Sequence, residues 1–299
     1  MRDGQLRAGW RVLLFATLFG VILFVQGLLF PFITQLELPD DRVSWGLVAQ
    51  SGLMLLAALL AAWILLRWVD RRPRRGLGFP LSTGALRELT TGLAVGALAL
   101  AGVVAIFALT GWYRYSPEPG SLAGWATTAG VALAALAIPA AAEEALLRGY
   151  PLRALVEGPG AGVAVLFTSV VFALLHGTNP GAGAFALVNI FLAGVLLAVA
   201  VLRTGTLWLA TGVHLGWNWI MSGPLDLPVS GLQGLDVPLY DATVLGPAWV
   251  AGGAFGPEGG LVGTLAALLG LALVIRVTRP GGSLARAGND RRIGDAEDR

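Results

Sequence analysis

Two carboxylates and a guanidinium stand together near the end of a long apolar run, in the stretch PAAAEEALLRGY at positions 139–150. A charged side chain at the bilayer centre costs about 2.5 to 3.5 kcal/mol on insertion scales, so such groups are rare in spans and usually functional. Residues four apart share one face of an α-helix, which predicts an ion pair between Glu144 and Arg148. Glu143 points about 100° away from Glu144. We therefore expect the arginine to hold Glu144 and leave Glu143 available for chemistry.

The two histidines of the chain also fall in or at the end of apolar runs. His176 ends the stretch FALLH, and His214 opens the stretch HLGWN, whose last residue is Asn218. A single histidine in an apolar helix is more often a core residue than a ligand. Here two histidines and two acids are distributed over three spans, and this grouping favours a shared polar site.

The depth of His176 conflicts with such a site. The span that ends at His176 runs outward, so a straight crossing would place its imidazole on the opposite side of the membrane from Glu143. Three arrangements would relieve the conflict: a helix that continues beyond Glu143, a tilt of the later span, or a buried irregular segment at 177–183. Irregular backbone at membrane depth is tolerated where it is buried in protein or lines a wet cavity.

Two hydrolytic schemes fit a glutamate, two histidines and an asparagine. In the first, His176 and His214 hold a metal such as Zn²⁺, and Glu143 is a ligand or the base for the bound water. In the second, no metal takes part: Glu143 is the general base, and the histidines with Asn218 position the water and stabilise the oxyanion. The sequence contains no HExxH, no GxSxG and no cysteine, so no local motif decides the chemistry. Both schemes stay open at this point.

The composition indicates a membrane protein. Of the 299 residues, 56% are hydrophobic and 13% are charged, and the mean hydropathy is +0.75; a soluble domain carries about 25% charged residues. The candidate spans are eight apolar runs, at 12–30, 46–69, 89–111, 122–147, 162–176, 184–202, 207–221 and 260–277. If the N terminus is inside, 18 of the 20 arginines fall on the inner side. We predict an all-α polytopic membrane protein with about eight transmembrane helices and both termini cytoplasmic.

The predicted spans divide the chain into four parts. We expect the first three helices in residues 1–121, a catalytic core of four helices in 122–222, an outer loop and the last span in 223–278, and a disordered cytoplasmic tail in 279–299. All 20 basic residues are arginine, and glycine is abundant, which is typical of a GC-rich genome and favours a multi-pass protein of a prokaryotic cell membrane.

The charge distribution also bears on partners. The net charge is +2, but the arginines flank apolar runs, so we expect no nucleic acid as a partner. The arginine cluster at 67–75 is interpreted as a topology anchor, with binding of anionic membrane lipids as the alternative.

Three short motifs, in order, resemble those of a known family. EEALLR at 143–148, FALLH at 172–176 and HLGWN at 214–218 are similar to the EExxxR, FxxxH and HxxxN-type motifs of the CAAX prenyl protease and bacteriocin-processing (CPBP) family of intramembrane endopeptidases. The resemblance covers roughly residues 122–221, and it implies a helical fold with a conical cavity that admits a peptide. It further implies that Glu143 activates water with support from Glu144 and Arg148, that His176 contacts this water, and that His214 and Asn218 polarise the scissile carbonyl.

The resemblance implies a peptide or lipidated protein as substrate, without assigning CAAX cleavage, and it leaves the choice between Zn²⁺ and a metal-free glutamate mechanism open. Other functions compete with the protease. A non-catalytic scaffold of the same fold, such as an immunity or transport-accessory protein, would use the polar cluster for structure alone. A haem protein would use His176 and His214 as axial ligands, but it would give the acids no role. A transporter is disfavoured because the sequence shows no inverted repeat.

Overall fold

Helices occupy all eight predicted spans in the structure, a computed structural model that describes residues 6–33, 45–72, 74–232 and 237–278. In chain order the helices are α1 (Ala8–Ile33), α2 (Trp45–Ile64), α3 (Ala85–Ala108), α4 (Leu122–Glu144), α5 (Tyr150–Glu157), α6 (Ala161–Leu175), α7 (Ala184–Thr204), α8 (Trp208–Ser222), α9 (Ala248–Ala251) and α10 (Leu261–Val277). Two π-helical turns continue α2 and α4, at Leu65–Val69 and Ala145–Gly149. Short 3-10 turns lie at Arg74–Leu77, Gly253–Phe255 and Pro257–Gly259.

The helices confirm the predicted all-α polytopic membrane fold. Among the described residues, five helical segments are long and apolar enough to cross a bilayer: Ala8–Leu28, Gly46–Val69, Ala85–Ala108, Leu122–Glu157 and Ala184–Thr204. Helices α6, α8 and α10 have 15 to 17 residues, which at about 1.5 Å per residue is shorter than the hydrocarbon core of about 30 Å. The count of eight complete crossings and the cytoplasmic position of both termini therefore stay predictions. The predicted tail at 279–299 lies outside the described residues.

Two details differ from the sequence-based expectation. The helix that contains the acidic pair does not end near residue 147, because α4, the π-helical turn and α5 form one 36-residue apolar segment, Leu122–Glu157. A small sheet is also present: β1 (Tyr113–Pro117) pairs antiparallel with β2 (Tyr240–Val244), with Tyr113 opposite Val244. The hydroxyl of Tyr113 donates to the carbonyl of Ala251 at 2.8 Å, which joins this sheet to α9.

Glycines let α3 and α8 pack with their backbones in contact. Gly92 and Gly96 are four apart on α3, and Gly212 and Gly216 are four apart on α8. A Cβ added to Gly96 would lie 2.0 Å from the carbonyl oxygen of Val213, and a Cβ on Gly212 would lie 2.2 Å from that of Leu89. Small residues four apart are the usual means of close helix approach in membranes. This pair of glycine faces sets the position of α8, the helix that carries His214.

A buried ionic network joins α1 to the ends of α2 and α5. Arg11 is 4% exposed, and its guanidinium contacts Asp70 at 2.5 Å, Glu157 at 2.9 Å and the hydroxyl of Tyr150 at 3.1 Å. Arg72 also pairs with Glu157. Arg72 belongs to the arginine cluster interpreted above as a topology anchor, and in the structure both arginines pair with carboxylates within the protein.

Candidate active site

The EEALLR motif lies in the middle of a long helix and not at its end. Glu143 and Glu144 are the last two residues of α4, and Arg148 lies in the π-helical turn that leads directly into α5. Single π-helical turns are frequently found at functional sites. One turn before the acids, Pro139 lies inside α4, and because proline has no N–H the carbonyl of Ala135 loses its helical partner. The motif therefore occupies a locally irregular part of the span.

Glu144 and Arg148 form the predicted ion pair, and both side chains are fully buried. The Arg148 Nη1 lies 3.2 Å from Oε1 of Glu144, and Nη2 donates to the carbonyl of Gly194 at 3.2 Å. The guanidinium carbon lies 4.3 Å from the centre of the Phe172 ring, which is cation–π geometry. Glu144 also accepts a hydrogen bond from Nδ1 of His214 at 3.1 Å, a second partner that the sequence analysis did not predict.

Both histidines are fixed through Nδ1. The His176 Nδ1 donates to the carbonyl of Phe172 at 2.8 Å, and the His214 Nδ1 donates to Glu144. A neutral imidazole whose Nδ1 carries the proton has a lone pair on Nε2, so in this tautomer each Nε2 is an acceptor. The Phe172 ring packs edge-on against both imidazoles, with centroid distances of 4.6 Å to His176 and 5.9 Å to His214.

The free nitrogens of both imidazoles approach the same oxygen of Glu143. Its Oε2 lies 4.0 Å from Nε2 of His176 and 3.8 Å from Nε2 of His214. This oxygen is buried and has no hydrogen-bond partner among the described residues. The predicted conflict over the depth of His176 is resolved by helix continuation, because Glu143 lies well before the end of the segment Leu122–Glu157.

A cavity of about 480 Å³ contains this meeting point. Glu143, His176, His214 and Asn218 all line it, and Asn218 lies one turn beyond His214 on α8. Most of the remaining wall is apolar and comes from α1, α2, α4, α6, α7 and α8, including Phe19, Leu23, Leu47, Met54, Leu136, Leu146 and Leu196. A mainly apolar cavity with a few convergent polar groups is the usual form of a ligand site.

The spacing of the donor atoms can be compared with the spacing that a zinc ion and a water each require. The other ring nitrogen of each histidine is held by a carbonyl or carboxylate, as is usual for metal ligands. However, Zn²⁺ binds N and O donors at about 2.0–2.2 Å, so tetrahedral donors lie about 3.3–3.6 Å apart. A water that hydrogen-bonds two groups at about 2.8 Å separates them by about 4.0–4.6 Å. The observed 4.0 Å falls at the edge of the water range, and the observed 3.8 Å lies midway between the two ranges; the described part of the chain contains no group of three His, Cys, Asp or Glu arranged to hold a metal.

One acidic residue of the cavity was not predicted from the sequence. Glu258 falls in the part of the chain predicted to form an outer loop and the last span, but in the structure it is only 4% exposed and lines the cavity. Its carboxylate accepts hydrogen bonds from the indole nitrogen of Trp217 at 2.9 Å and from the hydroxyl of Ser230. The glycines and the proline around Glu258 were the only signal in the sequence of a folded turn at this point.

Residues 124–220 match the model of a protein family described as type II CAAX prenyl endopeptidase Rce1-like. The matched range includes all six predicted site residues, and the match confirms the resemblance based on the three motifs. No curated protein and no solved structure matches the chain significantly. The apolar helices and the family match together point to an integral membrane protein in which residues 124–220 are similar to type II CAAX prenyl endopeptidases, and at the level of the family they support a protease.

Proposed function

We propose that this protein is an intramembrane endopeptidase that hydrolyses a peptide bond of a membrane-associated or lipidated polypeptide by means of a Glu143-activated water. The observation that carries the proposal is the buried Oε2 of Glu143, which has no hydrogen-bond partner in the described chain and faces the Nε2 atoms of His176 and His214. A water at this meeting point would donate one hydrogen to Oε2 and the other to Nε2 of His176.

The proposed reaction assigns one task to each group. The water donates one hydrogen to Glu143 and the other to Nε2 of His176, which leaves an oxygen lone pair directed at the scissile carbonyl carbon. As the carbon–oxygen bond forms, Glu143 accepts the first proton, and Asn218 donates to the developing oxyanion together with His214 protonated at Nε2. Collapse of the tetrahedral intermediate breaks the carbon–nitrogen bond, and Glu143 gives its proton to the leaving amine.

Glu144 and Arg148 have a supporting role in this proposal. Glu144 fixes the ring of His214 through Nδ1, and Arg148 neutralises Glu144 in a site without solvent exposure. An imidazolium at His214 would be stabilised by the two adjacent carboxylates, and this allows Nε2 to donate to the oxyanion. A zinc ion on His176, His214 and Glu143 would instead act as the Lewis acid and supply the water, and a chelator distinguishes it from the glutamate mechanism.

The test is cleavage of a quenched-fluorescent peptide library, with and without a prenyl group, by the full chain in proteoliposomes. Wild type is compared with Glu143→Gln, and with Glu118→Gln as a matched control, because Glu118 is exposed and lies outside the cavity. We expect cleavage by the wild type and the control, and loss by at least about a hundredfold in Glu143→Gln. Equal cleavage by all three proteins would refute the proposal.

Two further arms separate the alternatives. Activity that survives an excess of chelator supports glutamate chemistry, whereas activity that is lost with chelator and restored by Zn²⁺ supports the metal scheme. A non-catalytic scaffold or transport-accessory protein predicts that Glu143→Gln keeps full biological function, because the amide retains the shape of the carboxylate.

A further inference from the structure

Glu258 forms a second polar region in the cavity, apart from the three atoms that converge at Glu143. The 3-10 turn Pro257–Gly259 contains Glu258, whose carboxylate accepts from Trp217 of α8 at one oxygen and from Ser230, in the segment after α8, at the other. Asn179 lines the same cavity and donates to the carbonyl of Ser230 at 2.9 Å, which ties this region to the segment after His176. The backbone of Glu258 is fixed as well, because its carbonyl accepts from Asn189 at 2.9 Å.

The carboxyl group of Glu258 has no cationic partner within the described chain. Both of its hydrogen-bond donors are neutral, and no arginine or histidine of the described residues pairs with it. The first turn of α10 follows directly, and a helix N-terminus offsets only part of a buried charge. By contrast, the other buried acids Asp70 and Glu144 each have an arginine partner. The carboxyl group lies on the cavity wall and has acceptor positions beyond those used by Trp217 and Ser230, so a cationic group in the cavity can reach it.

We propose that Glu258 is a specificity-determining residue that accepts a positively charged group of the bound polypeptide, namely a lysine or arginine side chain or an N-terminal ammonium. This inference rests on the proposed function, because it takes the cavity to be the polypeptide site. The substrate would then combine apolar residues, which contact the leucine-rich wall, with one basic group that ion-pairs with Glu258.

On helix α8, a residue that contacts one polar region lies one turn from a residue that contacts the other. Trp217 follows His214 by three residues, so their backbones are separated by about 4.5 Å along the helix axis. One extended peptide residue spans about 3.3–3.6 Å, and a lysine side chain adds a reach of several ångströms. The basic residue is therefore expected within about four positions of the scissile bond.

The test measures binding and does not require cleavage. The ligands are fluorescent apolar peptides with blocked ends. Each peptide of the series has a single lysine at one of nine positions, and its control is the same peptide with norleucine at that position. The protein is the full chain with Glu143→Gln in nanodiscs of zwitterionic lipid, so that the membrane does not attract the lysine. Glu258→Gln is added on this background, since an amide can accept from Trp217 and donate to Ser230 and so preserves the local hydrogen bonds. Glu118→Gln serves as the matched control.

We expect one or two positions at which lysine binds about tenfold to a hundredfold more tightly than norleucine. That preference should disappear with Glu258→Gln and persist with Glu118→Gln, while the melting temperature is the same for both. A lysine preference that survives Glu258→Gln would overturn the inference, and so would peptides that bind without preference or not at all. If the preference depends on Glu258 but the wild type cleaves no peptide, the proposed protease activity fails and the cation site stands.

Discussion

The glycine contact between α3 and α8 predicts that a single added methyl group on α3 will disable the candidate site. In Gly96→Ala, the new Cβ would lie 2.0 Å from the carbonyl oxygen of Val213, although real Cβ atoms essentially never approach other atoms within 3.0 Å. Helix α8 must therefore retreat by about 1.0 Å to reach the limit of contact. Val213 directly precedes His214, so the imidazole moves with the helix.

This displacement is sufficient to break the contact that orients His214. The distance from its Nδ1 to Oε1 of Glu144 is 3.1 Å, and a retreat of about 1 Å in that direction would bring it to about 4 Å, beyond hydrogen-bond range. Misplacement of a catalytic group by about 1 Å can lower the rate about a hundredfold. Overpacking against backbone costs up to about 3 kcal/mol, and the better helix propensity of alanine returns about 1 kcal/mol. We expect a net loss of about 2 kcal/mol.

The assay compares peptide cleavage and thermal melting of Gly96→Ala with those of Gly102→Ala. Gly102 lies on the same helix, but a Cβ there would have no neighbour within 4 Å. We expect cleavage to fall about a hundredfold and the melting temperature to fall in Gly96→Ala, while Gly102→Ala keeps both or melts slightly higher. Full activity and an unchanged melting temperature in Gly96→Ala would show that α8 is not positioned by this contact.

Arg148→Lys keeps a positive charge beside Glu144 but removes the planar guanidinium, which contacts both Glu144 and the carbonyl of Gly194. We therefore expect folded protein to cleave peptide at least about tenfold more slowly. A rate equal to that of the wild type would exclude a positioning role for the guanidinium. Asp70→Asn removes a buried partner of Arg11, and Asp70 does not line the cavity. We expect the free energy of unfolding, measured by thermal melting, to fall by about 3 kcal/mol, while the cleavage rate per folded molecule is unchanged. An unaltered melting temperature would contradict this expectation. Leu23→Trp on the cavity wall should raise the KM for peptide with the melting temperature retained, and an unchanged KM would place the peptide elsewhere.

The cost of charge in hydrocarbon made the core of the site predictable from sequence. Glu143, Glu144 and Arg148 could be selected because polar residues in apolar runs need a physical reason, and the helical spacing of four predicted the ion pair that the structure contains. The helix positions were predictable for the same reason, since each span is a continuous apolar run between turns. Periodicity did not predict the hydrogen bond between His214 and Glu144, because it joins helices that are 70 residues apart in the chain.

Glu258 and the paired glycines could not be recognised from one sequence. An acid in a loop is ordinarily solvated, and the burial of Glu258 depends on how the turns at Gly253–Phe255 and Pro257–Gly259 fold back onto α8. Likewise, 42 glycines in the chain offer many pairs spaced by four, and only the packing shows which of them face another helix. Both features are properties of contacts between elements, which local patterns do not specify.

The hydrogen bonds at Nδ1 explain why the motif contains two adjacent acids with different surroundings. Glu144 is committed to Arg148 and His214 and is fully buried, whereas the side chain of Glu143 is 29% exposed and faces the cavity. One carboxylate thus fixes the imidazole, and the other remains able to take and return a proton. Exchange of the two roles is not possible without rotating the helix by about 100°. For this reason Glu144→Gln should weaken the orientation of His214, whereas Glu143→Gln should remove the base itself while leaving the ion pair between Glu144 and Arg148 in place.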